Sequence, residues 1–317
     1  MYKNKKISVV VPAYNEEKLI AKAISVIPRF VDKIIVINDA SKDKTLETIQ
    51  QIMKIDKKIH LINHKKNQGV GGAIASGYKW SRDNDIDIAA VMAGDAQMHP
   101  DDLPHLLDAI IDKGADFSKG NRLLTPGVRK NMPRFRFFAS QILSLLTKIA
   151  SGYWHVLDPQ CGFTAINKKG LHQINWDKSY KRYGQPNDLL VRLNVANMIV
   201  KDVNIKPIYQ IGERSGINYG KLFFTLSWLL YKDFVWRMKE KYIVMDFHPL
   251  VFFYFLGGFF GVATIVLSVR LFYIWGVFGE IPPINALASM FTFLGWAIFT
   301  LFAMWFDMTS NIDLKVK

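Results

Sequence analysis

Val9-Val10-Val11-Pro12-Ala13-Tyr14-Asn15-Glu16 passes within eight residues from a β-branched run, through a proline, into polar residues. An apolar run that stops so abruptly reads as a buried strand feeding a loop. The pattern recurs: Ile7 to Val11, Lys33 to Ile37, Ile59 to Ile62 and Ile86 to Met92 read as strands. Between them, Glu17 to Val26, Lys44 to Met53 and Gly71 to Ser81 read as helices, with Leu19, Ile20, Ala23, Ile24 and Ile27 illustrating the helical spacing of apolar residues. This alternation predicts an α/β fold with a mostly parallel sheet covered on both faces. Ligands of such sheets bind outside the carboxyl ends of the strands. The loops there hold Tyr14-Asn15-Glu16, Asn38-Asp39, Gly69 to Gly72 and Gly94 to Gln97, where the unusual polar residues fall.

The second half changes character. Pro249 to Val269 gives 21 residues and Ile281 to Phe306 another 26 without Asp, Glu, Lys or Arg, each enough to cross a hydrocarbon core of about 30 Å. Phe252-Phe253-Tyr254-Phe255-Leu256 followed by Gly257-Gly258-Phe259-Phe260-Gly261 shows no polar face, so two spans, about 249–270 and 282–306, are expected rather than buried helices. Arg214, Lys221, Lys232, Arg237, Lys239 and Lys241 precede the first span, against Asp233 and Glu240, while the connection carries Arg270 against Glu280. By the positive-inside rule both termini face the cytoplasm. Leu222 to Tyr242 mixes Trp228, Trp236 and aliphatics with lysines, as a helix lying in the membrane interface does. The expected division is a catalytic domain over 1–212, an interfacial region over 213–248 and a membrane domain over 249–317.

Half of the residues are hydrophobic and the formal net charge is +14, which calls for an anionic partner. One cysteine, Cys161, excludes an intrachain disulfide and a cysteine-rich zinc site and reads as a small buried side chain. Met1 to Lys6 is basic, but the five apolar residues that follow are too few for a signal-peptide core, so the N-terminal half is expected to stay in the cytoplasm. Asp39 ends the second strand, where a charged acceptor can take a base N–H. Read alone it is equally an Asx turn or a cap. Met92-Ala93-Gly94-Asp95-Ala96-Gln97 sets Asp95 and Gln97 two apart on a tight loop. They are oxygen ligands of the sort a hard divalent ion takes alongside phosphates, although Asp95 could also cap the helix near Pro100.

In this order and spacing the motifs resemble family 2 glycosyltransferases of the GT-A fold, a Rossmann-like α/β architecture. They are most similar to the polyprenol-phosphate glycosyltransferases typified by dolichol-phosphate mannose synthase, over roughly residues 5 to 210. The resemblance implies a nucleoside pocket lined by Pro12, Ala13, Tyr14 and Glu16, with Asp39 holding the base. It also implies Mg²⁺ or Mn²⁺ on Asp95 and Gln97 at the donor diphosphate. Asp158-Pro159-Gln160-Cys161-Gly162-Phe163 looks like the family's loop facing the sugar, and Asp188 falls where related enzymes carry acidic residues near the acceptor, though it could equally cap the following helix. Two departures stand out: Ala93 replaces the first carboxylate of the usual Asp-x-Asp, and Asn38-Asp39-Ala40-Ser41 stands for Asp-Asp-Gly-Ser. One carboxylate plus the diphosphate still suits an octahedral ion that keeps its waters, which implies weaker metal binding.

A lipid phosphate acceptor is mostly dianionic at neutral pH and needs cations rather than a general base. Lys119, Arg122, Arg129, Lys130, Arg134 and Arg136 occur within eighteen residues free of Asp and Glu, followed by the apolar stretch Phe137 to Leu146. This reads as a phosphate clamp, Arg122, Arg134 and Arg136 above all, or as a solvated loop attracted unspecifically to headgroups. Gly69-Val70-Gly71-Gly72 lacks a P-loop ending and reads as a tight turn. The expected function is inverting transfer of mannose, glucose or a related hexose from a GDP- or UDP-sugar to polyprenyl or dolichyl phosphate at the cytoplasmic membrane, with Asp95, Gln97, Arg122 and Asp188 as the catalytic set. The alternatives are a polysaccharide-building enzyme with a hydroxyl acceptor and a catalytically impaired nucleotide-sugar-binding membrane protein. Nucleic acid is not expected, because the cations concentrate beside the membrane segments. The sequence leaves a homo-oligomer open.

Overall fold

A computed structural model describes residues 1–123, 134–206 and 219–316, the side chains of 134–140, 219 and 221 excepted. Strands and helices alternate as the periodicity predicts: β1 (Ile7–Ala13), α1 (Ile20–Ser25), β2 (Lys33–Asn38), α2 (Thr45–Ile55), β3 (Ile59–Asn63), α3 (Val70–Asp83) and β4 (Ile88–Val91). There follow α4 (Leu103–Ile111), β5 (Phe117–Asn121), α5 (Arg134–Ser151), β6 (Thr164–Asn167), α6 (Lys168–Gln173), α7 (Gln185–Val195) and β7 (Val200–Asn204). The sheet runs β3-β2-β1-β4-β6-β5-β7. Only β6 lies antiparallel to its neighbours β4 and β5. The expected mostly parallel α/β sheet is therefore present, with one reversed strand wedged between two parallel groups.

Alternating side chains divide the core, as the period of two along a strand requires. Val9, Val11, Ile34 and Val36 pack with Ile20, Ile24 and Leu106 on one face. Val10, Ile35 and Ile37 pack with Ala73, Tyr78 and Leu190 on the other. At Gly77 of α3 an added Cβ would come within 2.3 Å of the Val10 side chain, so only glycine lets this helix lie so close to β1.

The chain divides into two compact units, the first comprising Met1–Phe234 and the tail from Asp313, the second Val235–Ile312. The boundary between the two units falls inside α8 (Tyr219–Lys239). In the first unit, Leu226 and Leu229 of α8 close on Gly184, where a Cβ would meet them at 2.8 and 2.5 Å. The tail also belongs to this unit, and Lys315 bridges Val200 at the start of β7.

In the second unit α9 (Leu250–Phe278) and α10 (Pro283–Ser310) form an antiparallel hairpin with mean hydropathy 2.3 and 1.8 and only 11% of each apolar window buried. Helices so apolar and so exposed are built for lipid rather than for a protein core. Gly257 faces Thr300, Gly261 faces Trp296 and Gly295 faces Phe260, so small residues let the pair approach closely. The first helix continues through Arg270, which was expected in the connection, to left-handed Gly279, whose N–H caps Trp275 O at 2.9 Å. Arg237 and Asp307 pair with both side chains fully buried, Nη1 to Oδ1 and Nη2 to Oδ2 at 2.9 Å each.

Candidate functional site

The carboxyl ends of β1, β2 and β4 lie side by side, because β1 pairs with both of the others. Three non-glycine residues there hold left-handed backbone: Asn15 (φ 56), Ala40 (φ 58) and Ala96 (φ 58). Such conformations cost on the order of 1 kcal/mol or more each and persist where the surroundings impose them. The imposing contacts are visible. Asn15 N donates to Ser41 Oγ at 3.0 Å, Lys42 N donates to Asn15 Oδ1 at 2.8 Å, and Glu16 N donates to Thr45 Oγ1 at 2.8 Å. Gly94 N donates to Pro12 O at 3.2 Å, tying the Asp95 loop to the end of β1.

This stitching brings Pro12, Ala13, Tyr14, Glu16 and Asp95 into one neighbourhood. Ala13 is buried, Pro12 and Glu16 are half-buried and Tyr14 is 44% exposed. Burial, and then the carboxylates of Asp95 and Asp43, push Glu16 up to about 7. Asp95 sits in a tight Asx turn, accepting from Gln97 N at 3.1 Å, with Ala93 beside it where a second carboxylate would stand. Among the described residues no three or more His, Cys, Asp or Glu cluster as a metal cage. One carboxylate, one amide oxygen and a substrate diphosphate still make a hard-ion donor set, because Mg²⁺ is commonly held by one or two carboxylates plus phosphates and water.

Asp39 is buried at the end of β2. Its Oδ1 accepts from His64 Nδ1 and Gln68 N at 2.8 Å each, and its Oδ2 from Gly69 N at 2.8 Å. His64 Nε2 in turn lies 2.9 Å from Ser76 Oγ. The carboxylate thus fixes the turn between β3 and α3, with three of its roughly four acceptor sites used. The glycine turn is committed as well. Gly72 N donates to Lys181 O at 3.1 Å, and a Cβ on Gly71 would strike Tyr180 O at 2.2 Å. These amides serve a strand-to-helix turn packed under the 180–184 loop. His64 went unremarked in the sequence, although its place directly after β3 is equivalent to those of Tyr14 and Asp39.

At the end of β5, Arg122 grips Asp158 with a fork, Nε to Oδ2 at 2.7 Å and Nη2 to Oδ1 at 3.0 Å, while Arg122 N adds 3.2 Å to Oδ2. Burial alone would raise the Asp158 carboxyl; the Arg122 guanidinium and the nearby Lys119 charge hold it below its ordinary value. Lys119, grouped by sequence with the basic run, is 1% exposed and donates from Nζ to Cys161 O. It points inward because residues of β5 are buried on both faces. Arg129 and Lys130 lie outside the described residues, as do the side chains of Arg134 and Arg136. Asp188, buried in the first turn of α7, accepts from Tyr180 N and Arg192 Nε at 2.8 Å each and so shapes the 180–184 loop.

A doubly covered α/β sheet with a strained polar rim and an Asx-turned aspartate after β4 defines a nucleotide-sugar-dependent transferase of the GT-A type. The profile described as Glycosyl transferase family 2 matches residues 8–174, more than half of the chain, and the protein belongs to that family. It is a glycosyltransferase. Its relatives include the UDP-N-acetylglucosamine–dolichyl-phosphate N-acetylglucosaminyltransferase of Methanococcus voltae, 31% identical over 65% of this chain and 87% of the relative. The undecaprenyl-phosphate mannosyltransferase of Micrococcus luteus is 28% identical over 58% and 75%. Among solved structures, glucosyl-3-phosphoglycerate synthase from Mycobacterium tuberculosis, in complex with Mn²⁺, UDP and glucosyl-3-phosphoglycerate, superposes with a TM-score of 0.55 at 21% identity, covering 74% of this chain and 80% of that one. At that identity the likeness establishes the shared fold.

Proposed function

We propose that the protein moves a hexose or N-acetylhexosamine from a nucleoside diphosphate sugar onto a polyprenyl or dolichyl phosphate at the cytoplasmic membrane surface. The observation that carries this is the joining of a family 2 strand-end site to a lipid-facing hairpin in one chain. Relatives named for dolichyl- and undecaprenyl-phosphate transfer support the acceptor. Pro12, Ala13, Tyr14 and Glu16 take the nucleoside, and the remaining acceptor site of Asp39 takes a base N–H. Asp95 and Gln97 would hold Mg²⁺ or Mn²⁺, which when bound offsets charge on the leaving diphosphate. The acceptor phosphate brings its own nucleophilic oxygen, so the protein supplies cations, with Arg122, Arg134 and Arg136 as the clamp. Incubating membranes that contain the protein with radiolabelled nucleotide sugars and a polyprenyl phosphate should yield label extractable with the lipid. Label found only in polymer or free sugar would overturn the reading.

If Arg122 clamps the acceptor, Arg122→Ala should raise the acceptor KM or lower kcat by about tenfold or more with donor affinity unchanged. Lysine should rescue only partly, because an ammonium cannot form a fork. Acceptor kinetics in liposomes at two salt concentrations check this, and small losses that fade with salt would sink the clamp.

The orientation follows from the same reading. Exposed Phe224, Trp228 and Tyr231 line one face of α8, Trp228 stacks on Tyr231 at 5.5 Å, and Lys232 Nζ stands 5.6 Å from the Trp228 ring. This suits the headgroup level, apolar below and cationic above. Two spans put the residues before and after the hairpin on one side of a bilayer, and the cations Lys232, Arg237, Lys239 and Lys241 ahead of the first span support that side being cytoplasmic. A cysteine introduced near Lys315 in a Cys161→Ser background should resist impermeant thiol reagent in intact cells and react after lysis. Labelling before lysis would reverse the orientation.

A further inference from the structure

We propose that Lys119 is a positioning residue for sugar transfer: its buried ammonium, bonded to the Cys161 carbonyl, is the shared counter-ion that keeps Asp158 presenting Arg122 at the end of β5. The proposal rests on the reading of Arg122 as an acceptor contact. Lys119 pairs in register with Thr164 of β6 and Asp202 of β7, in the interior of the sheet. A strand interior disfavours an ammonium, and a methionine would fill the same space without the desolvation cost, so the charge needs a reason.

Its surroundings supply one. Burial pulls the Lys119 ammonium below its ordinary value; the Asp158 and Asp202 carboxylates oppose that as opposite charges, and Arg122 adds to it as a like one. Asp202 Oδ2 accepts from Asn121 Nδ2 at 2.9 Å and from Leu157 N at 2.8 Å, while its buried Oδ1 has no hydrogen-bond partner among the described residues. An anionic oxygen buried in this way is tolerated through space by a neighbouring cation. Burial nonetheless raises Asp202 to about 6. Cys161, the remaining titratable neighbour, is raised by burial and stays a thiol. The loop carrying Asp158 is closed on the strand by Gly120 N to Phe163 O at 2.8 Å as well as by the lysine. Lys119 thus fixes the loop at one end and favours ionised Asp158 at the other, and ionised Asp158 is what aligns the Arg122 fork.

Asp158 is held below its ordinary value, so the Asp158–Arg122 pair is intact above that depressed pKa and is lost as pH falls through it. Removing the Lys119 charge raises that pKa, and the loss then begins at higher pH. In Lys119→Met, measured on the full-length protein in liposomes, kcat for polyprenyl phosphate should drop about tenfold at neutral pH, with UDP or GDP affinity unchanged. The acid limb of kcat should move up by about one pH unit. Lys119→Arg should restore part of both. Asp202→Asn, which leaves Lys119 facing Asp158 alone, should move the limb the other way and serves as the test if Lys119→Met does not fold. The acid limb of thermal stability is read in parallel. Should Arg122→Ala leave acceptor use untouched, the clamp falls by itself. The Lys119 proposal falls if the limb stays put in both Lys119→Met and Asp202→Asn, or if donor and acceptor use decline together.

Discussion

Replacing Asp95 by alanine should lower sugar transfer by on the order of 10²-fold or more, the largest activity loss expected of any single substitution at the strand ends. The reason is arithmetic of charge. Ala93 leaves Asp95 as the sole carboxylate of its motif, so the whole of that motif's charge against the dication at the donor diphosphate is lost with it. The fold should survive, because Asp95 is half-buried on a loop outside both hydrophobic clusters. Asp95→Asn keeps a similar shape and removes only the charge; a loss as large as that of the alanine variant would locate the effect in electrostatics. Circular dichroism should be unchanged in both, and Mn²⁺ affinity in the presence of UDP, followed by electron paramagnetic resonance, should fall. Ala93→Asp should tighten that affinity. Full metal-dependent turnover by Asp95→Ala would dismiss the assignment.

Much of this site was legible because strand ends announce themselves. β1 and β2 appear where β-branched runs give way to turn residues, and the polar residues directly after them reach the same rim. The errors of extent have local causes. β1 continues through Pro12 to Ala13, because Pro12 lacks an N–H but keeps a carbonyl, which accepts from Gly94 N. α1 starts at Ile20 rather than Glu17, because the amides of Glu16 and Glu17 are taken by Thr45 and Asp43. Left-handed Ala40 and Ala96 could not be read, since alanine has no preference for that backbone and tertiary contacts impose it. Nor could the Arg122–Asp158 fork, whose partners are 36 residues apart with α5 between them. Lys119 was misplaced for a general reason: a run of cations suggests a solvated face, and only strand register reveals which member turns inward.

The fully buried Arg237–Asp307 pair should carry the largest stability effect. Asp307→Ala should destabilise the hairpin unit by about 3–5 kcal/mol, the usual result of leaving a buried charge uncompensated. It would strip Arg237 of two hydrogen bonds and deprive Tyr242 Oη and Asn311 Nδ2 of their contacts with Asp307 Oδ1 at 2.8 and 3.1 Å. Lys241, whose Nζ bonds Asn311 Oδ1 at 2.9 Å, would then face Arg237 without a carboxylate between them. Burial and that guanidinium already lower Lys241 to about 7, so stability falls as pH drops from the unfolded lysine range toward that value, and in the variant, where the Asp307 charge no longer supports the ammonium, the fall should continue to lower pH. The double variant Arg237→Met with Asp307→Leu removes both charges together and should recover most of the loss, since apolar groups of similar volume replace buried pairs at little cost. Thermal denaturation in lipid nanodiscs at two pH values reads all three proteins. A loss below about 1 kcal/mol in Asp307→Ala would mean that water reaches the pair, and a double variant as weak as the single would assign the network a role in shaping the junction beyond neutralising its own charge.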